Sequence, residues 1–223
     1  MASEKTVTLK PKCFGGTVVA PPSKSAVHRL LICAAASEEQ TRIRCAAVSE
    51  DIEATMRCLR ALGADIVVRG EYITVKSGVR RGGTAVCDCG ESGSTLRFLL
   101  PIVGILGANA VFHMEGRLPE RPLEPLRTIL CEHGMKIEKT GDLLVCGGKL
   151  SGGTFEIPGN VSSQYVTGLL AALPLLPGSS TLRVTGNVES AAYIAMTEQV
   201  LRMAGIRFEK VGWEYSVSGG QMY

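Results

Sequence analysis

The chain has 223 residues, of which 45% are hydrophobic and 20% are charged, and its formal net charge is +3. This composition is typical of an ordinary soluble globular protein with a substantial core. The net charge is too small to indicate nucleic acid or a membrane surface as a partner. Because the first residues lack the hydrophobic stretch of a secretion signal, we expect a cytoplasmic protein.

Two sequence landmarks recur along the chain with one period. A Gly-Gly turn places its second glycine at positions 16, 83 and 153, so the copies are 67 and 70 residues apart. A glycine between a polar helix and a strand falls at positions 63, 134 and 205, with 71 residues in both steps. Two landmarks with the same period indicate three repeated units. Gly219-Gly220 stands where a fourth unit would begin, so we expect a chain that is cut at a repeat boundary.

Each unit is predicted to contain a strand, an apolar helix, a short strand, a polar helix and a pair of strands. Hydrophobic periodicity and turn residues locate these elements. The first unit has predicted strands over 17–20, 64–69 and 72–76, and predicted helices over 25–36 and 50–62. The other two units have predicted helices over 94–106, 123–132, 163–176 and 191–203.

The two helices of a unit differ in character. The first helix is apolar nearly all round, which is typical of a buried helix, and the second has one polar face. We therefore expect a mixed α/β (α+β) fold of three βαβαββ repeats about a pseudo-threefold axis, in which sheets surround the buried helices. This packing would bring the starts of the three buried helices to one end of the domain.

Eight cysteines raise the possibility of disulfides or of a metal site. They form no Cys-x-x-Cys pair, and only three histidines accompany them, whereas structural zinc sites use closely spaced ligand pairs. We expect reduced thiols, with no metal and no organic cofactor.

The starts of the buried helices carry hydroxyl side chains. A helix N-terminus exposes unpaired N–H groups and the positive end of the helix dipole, so it favours anions. Serine is also a common N-cap, and this interpretation is preferred for Ser23 and Ser92. The remaining hydroxyls at these starts are Ser25, Ser94, Thr95, Ser162 and Ser163.

Cations accompany these helix starts. Lys24 and Arg29 flank the first, and Arg97 lies one turn into the second. A cation in an apolar helix needs an anionic partner, which is either a ligand or a carboxylate elsewhere, such as Asp51 or Glu91. We favour the ligand for Lys24 and Arg29, while both readings stay open for Arg97.

A loop and an amide add further candidates. Arg117 and Arg121 lie in the proline-constrained segment 116–126, and an arginine fork suits carboxylate and phosphate. Arg121, which directly precedes Pro122, is the better candidate of the two. Gln164 offers both a donor and an acceptor. The sequence therefore predicts a pocket for one or more small phosphorylated acids.

Four segments carry a resemblance to a known family: PPSKSAVHR, GESGSTLRF, GRLPERPLEPL and GNVSSQYVTGLLAALPLL. In these segments, and in the same order along the chain, the sequence resembles the 5-enolpyruvylshikimate-3-phosphate synthases. The resemblance implies two similar three-repeat domains with the active site between them. Residues 1–20 would then belong to the second domain, and residues 21–223 would form the first domain, which ends at the crossover.

The resemblance also implies roles for individual residues, with Lys24 contacting both substrates and acting as the catalytic residue. Shikimate 3-phosphate would be bound by Lys24, Ser25, Arg29, Ser162, Ser163, Gln164, Ser190 and Tyr193. Phosphoenolpyruvate would be bound by Lys24, Gly93, Arg121 and Gln164. Between Ser190 and Tyr193 the family has Lys-Pro, whereas this chain has two alanines.

The implied reaction transfers the enolpyruvyl group of phosphoenolpyruvate to the 5-hydroxyl of shikimate 3-phosphate and releases phosphate. It needs an acid/base pair, and in the family these carboxylates come from the second domain. We therefore expect the chain alone to bind shikimate 3-phosphate weakly and not to turn over. The alternatives are a non-catalytic binding or assembly module and an enzyme like UDP-N-acetylglucosamine enolpyruvyl transferase.

Overall fold

A computed structural model describes residues 6–8, 10 and 15–223 of the chain. Its helices are α1 (Lys24–Ala36), α2 (Glu50–Ala61), α3 (Gly93–Leu106), α4 (Leu126–Glu132), α5 (Ser163–Ala172) and α6 (Ala191–Met203). Its strands are β1 (Thr41–Arg44), β2 (Asp65–Arg69), β3 (Tyr72–Ser77), β4 (Thr84–Asp88), β5 (Asn109–His113), β6 (Met135–Thr140), β7 (Leu143–Gly148), β8 (Thr154–Pro158), β9 (Ser180–Thr185), β10 (Phe208–Val211) and β11 (Glu214–Val217).

The order of elements repeats along the chain. The second and third units each run strand, helix, strand, helix, strand, strand, as the sequence predicts, whereas the first unit begins at α1. The sheets follow the same plan, with orders β1-β3-β2, β4-β5-β7-β6 and β8-β9-β11-β10. In the second and third sheets the first strand pairs in parallel with the next, and the remaining pairs are antiparallel.

The predicted strand over 17–20 is wrong. These residues take no regular structure, and Val18 and Val19 are 90% and 88% exposed. A strand is held by hydrogen bonds to a neighbouring strand, and β1 pairs only with β3 among the described elements. The equivalent segments β4 and β8 are strands because β5 and β9 pair with them.

Two predicted helices have different bounds because of proline. The helix predicted over 163–176 ends at Ala172 and continues as a 3₁₀ turn over Leu173–Leu175, since Pro174 has no N–H to donate. The helix predicted over 123–132 begins only at Leu126, with Pro125 as the residue before it. The other helix predictions are confirmed to within one residue at either end.

The three apolar helices α1, α3 and α5 lie at the centre and contact one another. Every residue of α3 except Ser94 is buried, which confirms the prediction of a helix buried on all sides. Helices α3 and α5 approach closely at Gly168, where an added Cβ would come within 2.5 Å of the carbonyl oxygen of Arg97. This close contact aligns the starts of the two helices, which carry several predicted site residues.

Candidate anion-binding cleft

Serine side chains cap the three central helices. Ser23 accepts a hydrogen bond from the backbone N–H of Ala26, and Ser92 accepts one from that of Thr95. The preferred interpretation of both residues as caps is therefore confirmed. Ser162 also acts as a cap, because its hydroxyl accepts from the N–H of Gln164. Each cap fixes the direction in which the chain enters its helix.

The starts of α1, α3 and α5 border one cleft of about 470 Å³, together with the start of α6. This arrangement confirms that the central helix starts meet at one end of the domain. Eight predicted site residues line the cleft: Lys24, Ser25, Arg29, Ser162, Ser163, Gln164, Ser190 and Tyr193. The other lining residues are Ser94, Arg97, Phe98 and Val161.

Arg29 is a buried cation in the cleft, with 4% of its surface exposed. Its Nε donates to the hydroxyl of Thr197 at 2.7 Å, and its Nη2 donates to that of Thr167 at 3.0 Å. Its other acceptors are the carbonyl oxygens of Ser25 and Tyr193. Because all of these acceptors are neutral, burial lowers the pKa of the Arg29 guanidinium to about 10.

Arg97 is the second buried cation, with 8% of its surface exposed. Its Nη1 donates to Oε1 of Gln164 at 2.6 Å, and its Nη2 donates to the carbonyl oxygen of Pro122 at 2.8 Å. Burial is the main cause that lowers the pKa of Arg97, and the charge of Arg121 lowers it further. Of the two readings left open for Arg97, an ion pair with a carboxylate is absent from the described structure.

Gly93 and Arg121 lie beside the cleft rather than in its lining. A Cβ on Gly93 would come within 2.8 Å of Nη1 of Arg97 and within 3.4 Å of Nη1 of Arg121. Two guanidinium groups therefore lie close to the backbone of Gly93, with no side chain between them and the helix start. Together with the positive dipole end of the first turn of α3, they make this surface suitable for an anionic oxygen.

Lys24 differs from the two arginines because it has a carboxylate partner. Its Nζ lies 2.6 Å from Oδ2 of Asp51, and the two side chains are 51% and 31% exposed. Here the structure contains the ion pair that was the alternative to a ligand. An exposed pair of this kind contributes at most about 1 kcal/mol, so Lys24 can exchange its partner at low cost.

Behind the cleft, hydroxyl groups link the buried helices. Nδ1 of His28 lies 2.7 Å from the hydroxyl of Thr55, which lies 2.7 Å from that of Thr95. Burial lowers the pKa of His28 to about 4, although the charge of Asp51 acts in the opposite direction. His28 is therefore a neutral side chain that joins α1 to α2 at neutral pH.

The segment with two alanines in place of the family's Lys-Pro pair forms the start of helix α6. Ser190 has φ 55° and ψ 35°, a left-handed conformation, and its side chain makes no capping hydrogen bond. Helix α6 then begins at Ala191, and the side chain of Tyr193 is half exposed at the rim of the cleft. Both residues therefore face the cleft without the Lys-Pro pair.

The site prediction omitted four of the residues that line the cleft. Ser94 carried a sequence signal, since it belongs to the hydroxyl cluster that begins α3, and Arg97 was left open between two readings. Phe98 and Val161 carry no charge, hydroxyl or amide, so the sequence offers no signal that marks them as site residues. Their place in the lining depends on contacts between helices far apart in the chain.

The structure offers no candidate metal centre among residues 6–8, 10 and 15–223, where no three His, Cys, Asp or Glu side chains group together. The cysteines of the described part are free thiols, and Cys13 lies outside the described residues. In the same part of the chain, no helix is both long enough and apolar enough to cross a membrane.

The fold, in which repeated α/β units surround three buried helices, is the enolpyruvyl transferase fold by its similarity to solved structures of that fold. The structure is similar to that of EPSP synthase from Acinetobacter baumannii, with a TM-score of 0.74 at 23% sequence identity. The similarity covers 93% of this chain and 47% of the solved one, and it concerns the fold.

The profile of the EPSP synthase (3-phosphoshikimate 1-carboxyvinyltransferase) family matches residues 9–222. The chain belongs to this family. It is 37% identical to the 3-phosphoshikimate 1-carboxyvinyltransferase of Clostridium acetobutylicum over 96% of the chain, and 38% identical to that of Clostridium kluyveri over 98%. The chain spans about half the length of these relatives, 52% in both cases.

Proposed function

We propose that this chain forms the shikimate 3-phosphate-binding half of an enolpyruvyl transferase. The complete reaction would move the enolpyruvyl group of phosphoenolpyruvate to the 5-hydroxyl of shikimate 3-phosphate and release phosphate. One observation carries the proposal: Lys24, Arg29 and Arg97 line one cleft at the starts of the central helices, and among the described residues only Lys24 of these three has a carboxylate partner, Asp51. Such a cleft attracts an anion of several charges.

Individual roles are part of this proposal, and the positions of the side chains in the cleft support them. Ser25, Ser162, Ser163, Ser190 and Tyr193 offer hydroxyl groups to the ring hydroxyls and the phosphate of shikimate 3-phosphate, and Arg29 and Lys24 supply charge. Gly93 and Arg121 would take the carboxylate or phosphate of phosphoenolpyruvate, where two guanidinium groups converge. Lys24 and Gln164 lie in the same cleft and would contact both substrates.

The lack of a carboxylate in the described cleft lining also affects the turnover that we expect. Addition of the hydroxyl to phosphoenolpyruvate needs one proton delivered to the methylene carbon and one removed from the hydroxyl. Because the described lining contains no carboxylate and the nearby Asp51 is paired with Lys24, the acid and the base for these steps would be supplied by a second domain that covers the cleft. Residues 21–223 of this chain would form the first domain, and residues 1–20 would belong to the second. The setting would be the cytoplasm, and the partners would be the two substrates and the complementary domain, with no metal or cofactor.

The experiment has two arms. Titration of the chain with shikimate 3-phosphate, followed by amide NMR, is expected to give saturable shifts at the starts of α1, α3 and α5 without product. Adding the complementary domain of a relative is expected to restore turnover. Binding without turnover in the mixture would support a non-catalytic module instead, and no binding in either arm would contradict the proposal.

A further inference from the structure

Arg97 connects two elements that carry predicted site residues. Its Nη1 donates to the side chain of Gln164 at the start of α5, and its Nη2 donates to the carbonyl oxygen of Pro122 in the loop that carries Arg121. The guanidinium is 8% exposed, and its Nε has no hydrogen-bond partner in the described part of the chain. A buried cation of this kind holds its neighbours in place because its planar fork has fixed donor directions.

The contact with Gln164 determines which end of the amide faces which neighbour. A guanidinium can only donate, so the oxygen of the amide must point to Arg97. The nitrogen Nε2 then points the other way and donates to the hydroxyl of Ser94 at 3.0 Å. An amide nitrogen has a second N–H, which remains for an anion in the cleft, whose lining contains both Gln164 and Ser94.

The hydrogen bond from Arg97 to the carbonyl oxygen of Pro122 holds the loop that carries Arg121. The hydroxyl of Tyr165 donates to the same carbonyl oxygen at 2.8 Å, so two buried side chains share this acceptor. The neighbouring residue Arg121 lies with its Nη1 3.4 Å from the position of a Cβ on Gly93. Arg97 therefore aligns the loop cation with the first turn of α3.

We propose that Arg97 is a positioning residue that sets the donor end of the Gln164 amide toward the cleft and holds the Arg121 loop beside Gly93. It makes the cleft selective for anionic oxygens, because the reversed amide would present a carbonyl oxygen that repels them. The orientation of the amide is a property of the free protein, whereas its use in substrate binding rests on the proposed function.

The first test needs no ligand. The side-chain amide signals of Gln164, assigned through their loss in Gln164→Met, are followed by ¹⁵N–¹H NMR in wild type, Arg97→Gln, Arg97→Lys and the surface control Arg183→Gln. We expect shifted, slowly exchanging signals in wild type and in the control, and signals typical of a solvent-exposed glutamine in Arg97→Gln. Unchanged signals in both Arg97 variants would overturn the proposal. If Arg97→Gln does not fold, Arg97→Lys decides, since lysine lacks the planar fork whose two nitrogens donate separately to Gln164 and to Pro122.

The second test measures affinity for shikimate 3-phosphate. Loss of one hydrogen bond to a charged group weakens binding about tenfold, so Arg97→Gln and Gln164→Met are each expected to lose at least that factor. If Arg97 acts through Gln164, the double variant loses little more than either single one. Additive losses would overturn the positioning role. Absence of binding in wild type would contradict the proposed function, while the amide signals would still decide the orientation.

Discussion

Arginine side chains in the cleft and on the outer face of the third sheet have opposite surroundings. On the sheet, half-exposed Arg183 lies between Glu214 and Glu156, with N···O distances of 2.8 and 3.3 Å. The hydrogen bond to Glu214 is the main cause that raises its pKa. In the cleft, Arg29 is buried among neutral acceptors, and burial lowers its pKa to about 10.

The difference separates cations that are satisfied within the fold from cations that are available to a ligand. An exposed ion pair contributes little and needs nothing further. A buried cation without an acid costs free energy, and an arriving anion recovers part of that cost. Substitutions in the close-packed centre on which the cleft is built, and then in the cleft itself, test this distinction.

The largest expected effect is at Gly168. Replacing it with alanine would place a Cβ 2.5 Å from the carbonyl oxygen of Arg97, so α3 and α5 must move apart. We expect the free energy of unfolding, measured with urea, to fall by about 3 kcal/mol. Gly178 is the matched control, because an added Cβ meets nothing within 4 Å there. Equal stability of the two variants would contradict the close packing.

The next effect is the pH dependence caused by His28. Its pKa is lowered from 6.5 to about 4, so between these values the unfolded chain binds more protons than the folded one. Stability is therefore full above pH 6.5 and falls as the pH falls, by about 2 kcal/mol at pH 5. Urea unfolding of His28→Gln should lack this contribution, whereas His113→Gln, at an exposed site, should retain it. A wild-type slope in His28→Gln would contradict the assignment.

A smaller effect is expected at Gly93. Alanine there would crowd the ends of two side chains, Arg97 and Arg121. Arg97 can move only by loosening its hydrogen bonds to Gln164 and Pro122. We expect stability to fall by about 1 kcal/mol, while affinity for phosphoenolpyruvate, measured by calorimetry with the complementary domain present, falls about tenfold. Loss of stability without loss of affinity would show that the glycine serves packing alone.

The smallest effect concerns Lys24, a cation of the cleft that forms an ion pair with a carboxylate. Asp51→Asn removes the charge that holds Lys24 at 2.6 Å. Since an exposed pair is worth about 1 kcal/mol or less, affinity for shikimate 3-phosphate should rise by a factor of about 2–5, as read by calorimetry. Lower affinity would indicate that Asp51 positions Lys24 instead of competing for it.

The sequence predicts well those features that depend on local pattern. The bounds of α1, α2, α3 and α6 follow from hydrophobic periodicity, and the caps Ser23 and Ser92 follow from the preference of serine for that position. The 17–20 segment shows the limit, because Thr-Val-Val has strand propensity, but a strand also needs a neighbour. Propensity alone cannot supply that neighbour.

The candidate site was predictable in part for the same reason. Six of the cleft residues carry a local signal as hydroxyls, cations or an amide at helix starts, whereas the prediction of Ser190 and Tyr193 rests on the family resemblance. The hydrogen bond from Arg97 to Gln164 joins residues 67 positions apart and depends on how α3 and α5 pack. No local sequence pattern indicates a contact across that separation, so the role of Arg97 can be inferred only from the folded structure.

The most direct test is a titration of the ¹⁵N-labelled chain with shikimate 3-phosphate, in wild type and in Arg29→Gln, with Arg183→Gln as the matched surface control. If buried cations that lack a carboxylate partner form the anion site, the amide signals at the starts of α1, α3 and α5 shift saturably in wild type and in the control. Arg29→Gln then loses affinity about tenfold or more. Shifts confined to other surfaces, or equal affinity in all three proteins, would contradict the account.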